Sequence, residues 1–328
     1  MRRRDFLALL GGAAAVPSLA PRKARAQQSI PVVGFLSPAS PEGYAEPLRA
    51  LRLGLKEGGY VEGENVAIET RWADNQLDRL PELASELVRR RVQVIVARGI
   101  PVAQAAKAAT TTTSIVFVIG DDPVKHGLVA SLARPGGNLT GINVVNAELT
   151  AKRLELMREL VPGAIRMAVL TGVVGPASET TVRDAQAAAS AIGLQAQVMR
   201  AETSREIDAA FVTLGRERPD ILLVGGGDFY ASRRVQLTQL AAYHRLPATY
   251  SDREFAEVGG LTSYGSNTSD AFRQAGVYAG RILKGAKASE LPVIQSSKFE
   301  FVINHQTARM LGLTVPPSLL TIADEVIE

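Results

Sequence analysis

The sequence predicts an α/β protein made of two doubly wound parallel-sheet lobes joined by a three-segment hinge. Three observations predict it. From Ile30 onward, short Val- and Ile-rich runs alternate with amphipathic stretches, as strands of a parallel sheet covered on both faces do. The same rhythm restarts after residue 145. Beyond the second series lie a helix-length and a strand-length segment suited to chain passing back between two bodies.

In order, the strand-like runs of the first series are Val32–Ser37, Val66–Trp72, Val92–Ala97 and Ile115–Ile119. Apolar residues at helical spacing mark Glu46–Glu57, Leu77–Arg90 and Val102–Ala109 between and after them. Arg89, Arg90 and Arg91 read as a solvated helix end, where cations complement the dipole. In the second series, helix Leu149–Leu160 is stopped by Val161-Pro162-Gly163. Strand Met167–Leu170, helix Glu179–Ala191, strand Gln195–Met199 and helix Glu206–Arg216 follow, then strand Ile221–Val224, helix Arg233–Tyr243 and strand Ala248–Tyr250. Helix Ala271–Leu283 comes after Leu261–Gly265, and a late strand spans Lys298–Ile303. Crossings are expected near Val144–Asn146, Thr262–Gly265 and Ser296–Lys298. The expected N-terminal lobe is therefore 27–144 plus about 265–297, and the C-terminal lobe 145–264 plus about 298–328.

Composition narrows the function. The 328 residues are 46% hydrophobic and 21% charged, which excludes disorder. Cysteine is absent; disulfides, thiolate metal sites and a cysteine nucleophile are excluded with it. The formal charge is +4 and the sequence pI about 9.4. Six basic residues and one acidic residue fall in the first 26, leaving the rest within one charge of neutrality. No basic surface remains to suggest nucleic acid.

Residues 1–26 read as an export signal. Arg2 to Arg4 precede an apolar, small-residue run from Phe6 to Leu19, and Ala24-Arg25-Ala26 fits a cleavage site with Gln27 as the mature start. Arg3-Arg4-Asp5-Phe6-Leu7 is similar to the twin-arginine export motif. The run is too short, and too broken by Pro17, for a membrane anchor. A soluble periplasmic protein is expected.

Several strings carry a family resemblance. Early ones are Val33-Gly34-Phe35-Leu36-Ser37 and Gly54-Leu55-Lys56-Glu57-Gly58-Gly59-Tyr60. Asp122-Pro123-Val124 is followed by Leu132-Ala133-Arg134-Pro135-Gly136-Gly137-Asn138-Leu139-Thr140-Gly141 and Lys152-Arg153-Leu154-Glu155-Leu156. Later come Val258-Gly259-Gly260-Leu261, Gly280-Arg281-Ile282-Leu283-Lys284-Gly285-Ala286 and Leu311-Gly312-Leu313-Thr314-Val315-Pro316. With these the chain resembles, from about residue 30 to its end, the ABC-transporter substrate-binding proteins related to the tryptophan- and tyrosine-binding periplasmic proteins. The resemblance implies the type I periplasmic-binding-protein fold. It also implies a monomeric receptor, without catalytic residues, cofactor or metal, that closes on a small solute and delivers it to an inner-membrane ABC permease. A carboxylate-bearing, amino-acid-like or aromatic solute is the expectation. Ile100 stands where amino-acid-binding members often carry Thr or Ser, a departure that bears against an amino acid.

In open parallel sheets, ligands bind outside the carboxyl ends of the strands, where helix N-termini also favour anions. The loops there supply the candidates. Ser37 and Ser40 follow the first strand, as carboxylate donors or helix caps. Trp72 ends the second, as a stacking platform or a core residue. Gly99 follows the third and lets backbone approach a ligand; its neighbour Arg98 suits an anion or the surface. Asp121 and Asp122 follow the fourth, as partners for an ammonium, with Asp122 equally suited to capping a turn at Pro123. Asn146 lies at the first crossing and Ser178 at a helix start. Asp228 and Phe229 follow Gly225-Gly226-Gly227, offering an acceptor and a stacking face. Tyr250 and Tyr264 end later strands or crossings.

The triple glycine lacks the third glycine of a dinucleotide loop. Neither a nucleophile elbow nor a Walker loop occurs. His126, His244 and His305 lack metal-ligand spacing and read as surface or helix-end residues. The alternatives are an exported periplasmic enzyme with a bound cofactor and a sugar-sensing regulator of the same fold. A regulator would carry a DNA-binding domain where this chain has its leader.

Overall fold

Two sheets organise the described residues. The structure, a computed structural model, describes residues 30–41, 44–74, 76–144, 149–172 and 176–328. The leader and Asn146 lie outside these, as do the side chains of Ser178 and Asp228.

The first series runs β1 (Val32–Ser37), α1 (Ala45–Glu57), β2 (Ala67–Trp72), α2 (Leu80–Arg89), β3 (Val94–Arg98), α3 (Ile100–Ala109), β4 (Ser114–Ile119) and β5 (Leu139–Asn143). The second runs α4 (Leu149–Leu160), β6 (Arg166–Thr171), α5 (Pro176–Ala191), β7 (Gln195–Arg200), α6 (Ser204–Glu217) and β8 (Ile221–Val224). It continues through α7 (Asp228–Ser232), α8 (Arg234–Tyr243), β9 (Ala248–Tyr250), α9 (Arg253–Glu257) and β10 (Thr262–Ser266). The chain ends with α10 (Thr268–Leu283), β11 (Ile294–Gln295), β12 (Phe299–Asn304), α11 (His305–Met310), α12 (Pro317–Ile322) and β13 (Glu325–Ile327).

Sheet order is β11-β5-β4-β3-β1-β2 in the first sheet and β13-β12-β10-β9-β8-β6-β7 in the second. All pairings are parallel except β10 with β12. The chain passes from one sheet to the other after Asn143, between Ser266 and Thr268, and between Gln295 and Phe299.

Each sheet buries both faces, which is why its strands read as unbroken apolar runs. On one face of the first sheet, Val33, Phe35, Val94, Val96 and Val116 pack against α1 and α10; on the other, Leu36, Ile95, Ile115 and Phe117 pack against α2 and α3. In the second sheet, Val169, Leu223 and Ile303 face α4 and α5, whereas Ala168, Leu170 and Leu222 face α6 and α8.

Sequence reading of the second and third crossings foresees chain returning between the sheets, and α10 shows what that return does. Asn267 caps it, accepting from the Asp270 N–H at 2.8 Å. The helix then lies on α1 of the first sheet at backbone contact. A Cβ on Gly54 would sit 1.8 Å from the Arg273 carbonyl oxygen, and one on Gly276 2.2 Å from that of Leu51.

Strand β5 is missing from the sequence reading. Its stretch Leu139-Thr140-Gly141-Ile142-Asn143 is short, and Gly141 breaks the apolar run. That glycine is needed, since a Cβ there would meet the Phe117 carbonyl oxygen at 2.2 Å. The short pieces β11, β13, α7, α9, α11 and α12 were likewise not foreseen; elements of two to six residues carry too little periodicity to register.

Candidate functional site

The carboxyl ends of the strands converge on a small cavity of about 40 Å³. The first sheet's side supplies Tyr44, which precedes α1, and Arg98, which ends β3. The second supplies Ser232 of α7, Arg234 of α8, and Asp252, Glu254 and Phe255 at the start of α9. Thr268, the first residue of α10, closes it.

The first side is an aromatic cluster. Trp72 packs 5.5 Å from Phe35 and 5.2 Å from Tyr44, ring centre to ring centre. Phe272 of α10 lies 6.0 Å from Phe35. The Arg98 guanidinium sits 5.5 Å from the centres of both the Tyr44 and Phe272 rings, where the ring faces attract a cation. Trp72 thus serves the core and backs a wall of the cavity at once. Gly99 has φ +87° and starts α3, a conformation that favours glycine.

The second side carries carboxyls. Burial and the negative charge of Asp252 push Glu254 up to about 7, against the pull of Arg98. The Ser251 hydroxyl donates to Asp252 at 2.7 Å. Helix α9 is pinned in place by Arg253, which pairs with Glu257 at 2.9 Å, with Glu325 of β13 at 2.6 Å, and with Glu300 of β12. Gly227 has φ +129° and precedes α7, so the triple glycine shapes a turn leading into a cavity-lining helix.

Several other sequence candidates find polar or ring partners within the protein. Ser37 is fully buried and accepts from the Ala39 N–H at 3.3 Å. Neither Ser37 nor Ser40 caps α1, which begins later, after Tyr44, with no side-chain cap. Asp122 accepts from the Val124 N–H at 2.9 Å, the turn-capping role. Asp121 binds the His126 ring at 2.7 Å and accepts from the Asp122 N–H at 2.7 Å. Burial raises the Asp121 carboxyl, but these contacts outweigh it and hold it below its usual range. His126, expected at the surface or a helix end, is this half-buried partner instead.

Phe229 lies 5.4 Å from Tyr230 with the two rings tilted, and beneath the Arg233 guanidinium at 6.0 Å. Tyr250 is fully enclosed in the second core, stacked 4.4 Å from Phe255. Tyr264 faces the other side of its sheet, near Phe301 and Phe299. Sequence reasoning named Tyr250 but stopped two residues short of Asp252 and four short of Glu254 in the same loop. It also passed over Tyr44 and Phe272, and weighed Arg98 as an anion partner or a surface side chain. The rule that found Ser37 covers the loop after β9 equally; Phe272 reaches the site from α10, beyond any strand-end rule.

The family model described as ABC transporter substrate binding protein matches residues 32–327. A tyrosine-binding protein from Clostridioides difficile (strain R20291) is 28% identical over 259 residues, covering 79% of this chain and 74% of the relative. A solved ABC domain from Streptococcus pneumonia, in complex with L-Trp, is 27% identical with a TM-score of 0.83, covering 91% of this chain and 100% of that one. A conserved domain protein from Vibrio cholerae is 25% identical with a TM-score of 0.82, covering 90% and 99%. The neighbours confirm the type I periplasmic-binding-protein fold. With nearly all of its described length matched, this chain belongs to the ABC transporter substrate-binding protein family.

Proposed function

We propose that the protein is an exported, periplasmic receptor of an ABC importer. It takes one small solute between two closing lobes and hands it to an inner-membrane permease. The lobes correspond to the two sheets, with 27–144 plus about 265–297 in one and 145–264 plus about 298–328 in the other. The carrying observation is the cavity at the strand ends, walled by Tyr44 and Arg98 on one sheet's side and by Asp252 and Glu254 on the other's. A solute touching both walls favours the closed state by its differential affinity for it.

The wall chemistry suits a solute with an aromatic or flat apolar part and charged groups, which includes the aromatic amino acids. Ser40, Gly99 and Phe229 remain the sequence-derived contacts at the strand ends best placed to complete the site. The protein acts as a monomer and reaches the periplasm through its N-terminal leader, by the twin-arginine route. The family's description gives the alternative of an exported enzyme no support.

A panel of amino acids, aromatic acids and sugars, read by thermal shift and Trp72 fluorescence, tests the reading. A solute that raises the melting temperature should also change Trp72 emission, because Trp72 packs on the cavity-lining Tyr44. Complete silence of both signals across the panel would overturn the proposal.

A further inference from the structure

The second and third crossings are tied to each other as well as to the two sheets. The antiparallel pairing of β10 with β12 ends at Ser266 and Phe299. The Asn267 N–H extends it one step, donating to the Lys298 carbonyl oxygen at 2.9 Å. The backbone of both residues thus continues the second sheet. Asp270, one turn into α10, is anchored to the first. Its helix is fastened to α1 by Ser269 donating to Glu46 at 3.0 Å, by Arg273 pairing with Glu57 at 2.8 Å, and by the close approach of Gly54 and Gly276. The Lys298 ammonium reaches from one body to the other and pairs with Asp270 at 2.9 Å. Asp270 is only 8% exposed and also pairs with Arg273 at 3.0 Å, so it keeps a cation when Lys298 is removed.

The same ribbon touches the cleft. The Asn267 side-chain amide donates to Glu300 at 3.3 Å, and Glu300 pairs with Arg253 at the start of α9. Thr268, between the ribbon and Asp270, lines the cavity. A cavity of about 40 Å³ has room for about three waters, so an amino-acid-sized solute enters only when the walls part. We propose that the Lys298–Asp270 pair is a latch across the hinge: it favours the near-closed arrangement before a solute arrives, and its release sets how readily the walls part. This rests on the two sheets being the closing lobes of a receptor. Parting turns the second sheet against α10 about Asn267 and Thr268, which draws Lys298 away from Asp270. Because Lys298 is largely exposed, the pair biases the equilibrium by about two- to fivefold, and salt weakens it.

The chain has no cysteine, so Val124→Cys and Arg205→Cys carry two nitroxide labels without background. Both are exposed residues and follow the carboxyl ends of β4 and β7, one on each sheet's side. Pulsed electron paramagnetic resonance then reads the distance between them, with no solute added. A short-distance population should dominate in the otherwise native chain. The ratio of long to short should rise about two- to fivefold in Lys298→Gln and largely return in Lys298→Arg. Raising NaCl from about 0.05 M to about 0.5 M should raise the ratio in the native chain and not in Lys298→Gln. An unchanged ratio in Lys298→Gln, a dominant long distance in the native chain, or equal salt responses in both overturn the latch. The receptor reading survives those results if L-tryptophan, L-tyrosine or another solute of the panel still raises the melting temperature. Distances that neither variant, salt nor any solute alters overturn the latch and the closing lobes together. Should Lys298→Gln fail to fold by thermal melts, the salt response of the native chain decides: a rise supports the latch and no change overturns it.

Discussion

The two walls of the cleft are built differently. On the first sheet's side, Tyr44, Trp72, Phe35 and Phe272 form a packed aromatic layer, and the charge they carry into the cavity is one arginine lying on two rings. On the second side the cavity residues are mostly polar: Ser232, Arg234, Asp252 and Glu254, set on or just before the helices that follow β8 and β9. The aromatic wall is welded to the core of its sheet and cannot be altered without cost to folding. The polar wall hangs on α7, α8 and α9, outside the strands, so its chemistry can vary while the second core stays intact. In the proposed receptor, shape discrimination would belong mainly to the first wall and charge discrimination mainly to the second.

The largest expected effect breaks the first wall from behind. Gly54→Ala places a methyl against the Arg273 carbonyl at a distance no relaxed structure allows. It should cost about 3 kcal/mol or more in urea melts, and solute affinity should fall with it as Phe272 shifts. Phe272→Ala comes next. Its fully buried ring should cost about 3–5 kcal/mol and quench the Trp72 response to solute. On the second side, Asp252→Asn and Glu254→Gln should change solute affinity roughly tenfold or more while shifting the melting temperature little, the reverse of the Phe272 pattern. Equal stability losses on both sides would dissolve the distinction.

Smaller effects sharpen it. Helix α6 supplies none of the residues lining the cavity and starts with a reciprocal cap: Thr203 accepts from the Glu206 N–H at 3.2 Å, and Glu206 accepts from the Thr203 N–H at 3.1 Å. Thr203→Ala should cost about 1 kcal/mol and leave affinity untouched. Asp121, whose carboxyl is held low by His126, stabilises the folded state at neutral pH and loses that contribution on acidification. Asp121→Asn should therefore flatten the acid limb of the stability profile slightly, as melts from pH 3 to pH 6 would show.

The alternation of strands and helices was legible because both sheets are buried on both faces, so Val32–Ser37 or Ile221–Val224 advertise themselves. What escaped notice shares one cause. Strand β5 forms because Gly141 lets it lie against Phe117, a requirement set by a partner residue and not by local pattern. The site was legible as a set of loops but not as a set of side chains. Strand ends predict which loops lead to the cavity, which is why the stretches around Arg98 and Tyr250 and the Gly225–Gly227 turn were singled out. They do not predict that Asp121 would be satisfied by His126, that Tyr250 would point into its own core, or that Phe272 would arrive from α10.

The most direct test of the central claim is a crystal structure with the solute giving the largest thermal shift. The account predicts electron density for that solute between the aromatic layer of Tyr44 and the carboxyl groups of Asp252 and Glu254, touching residues on both sheets' sides. Density seated on one sheet's outer helices, with this cleft filled only by protein, would contradict it.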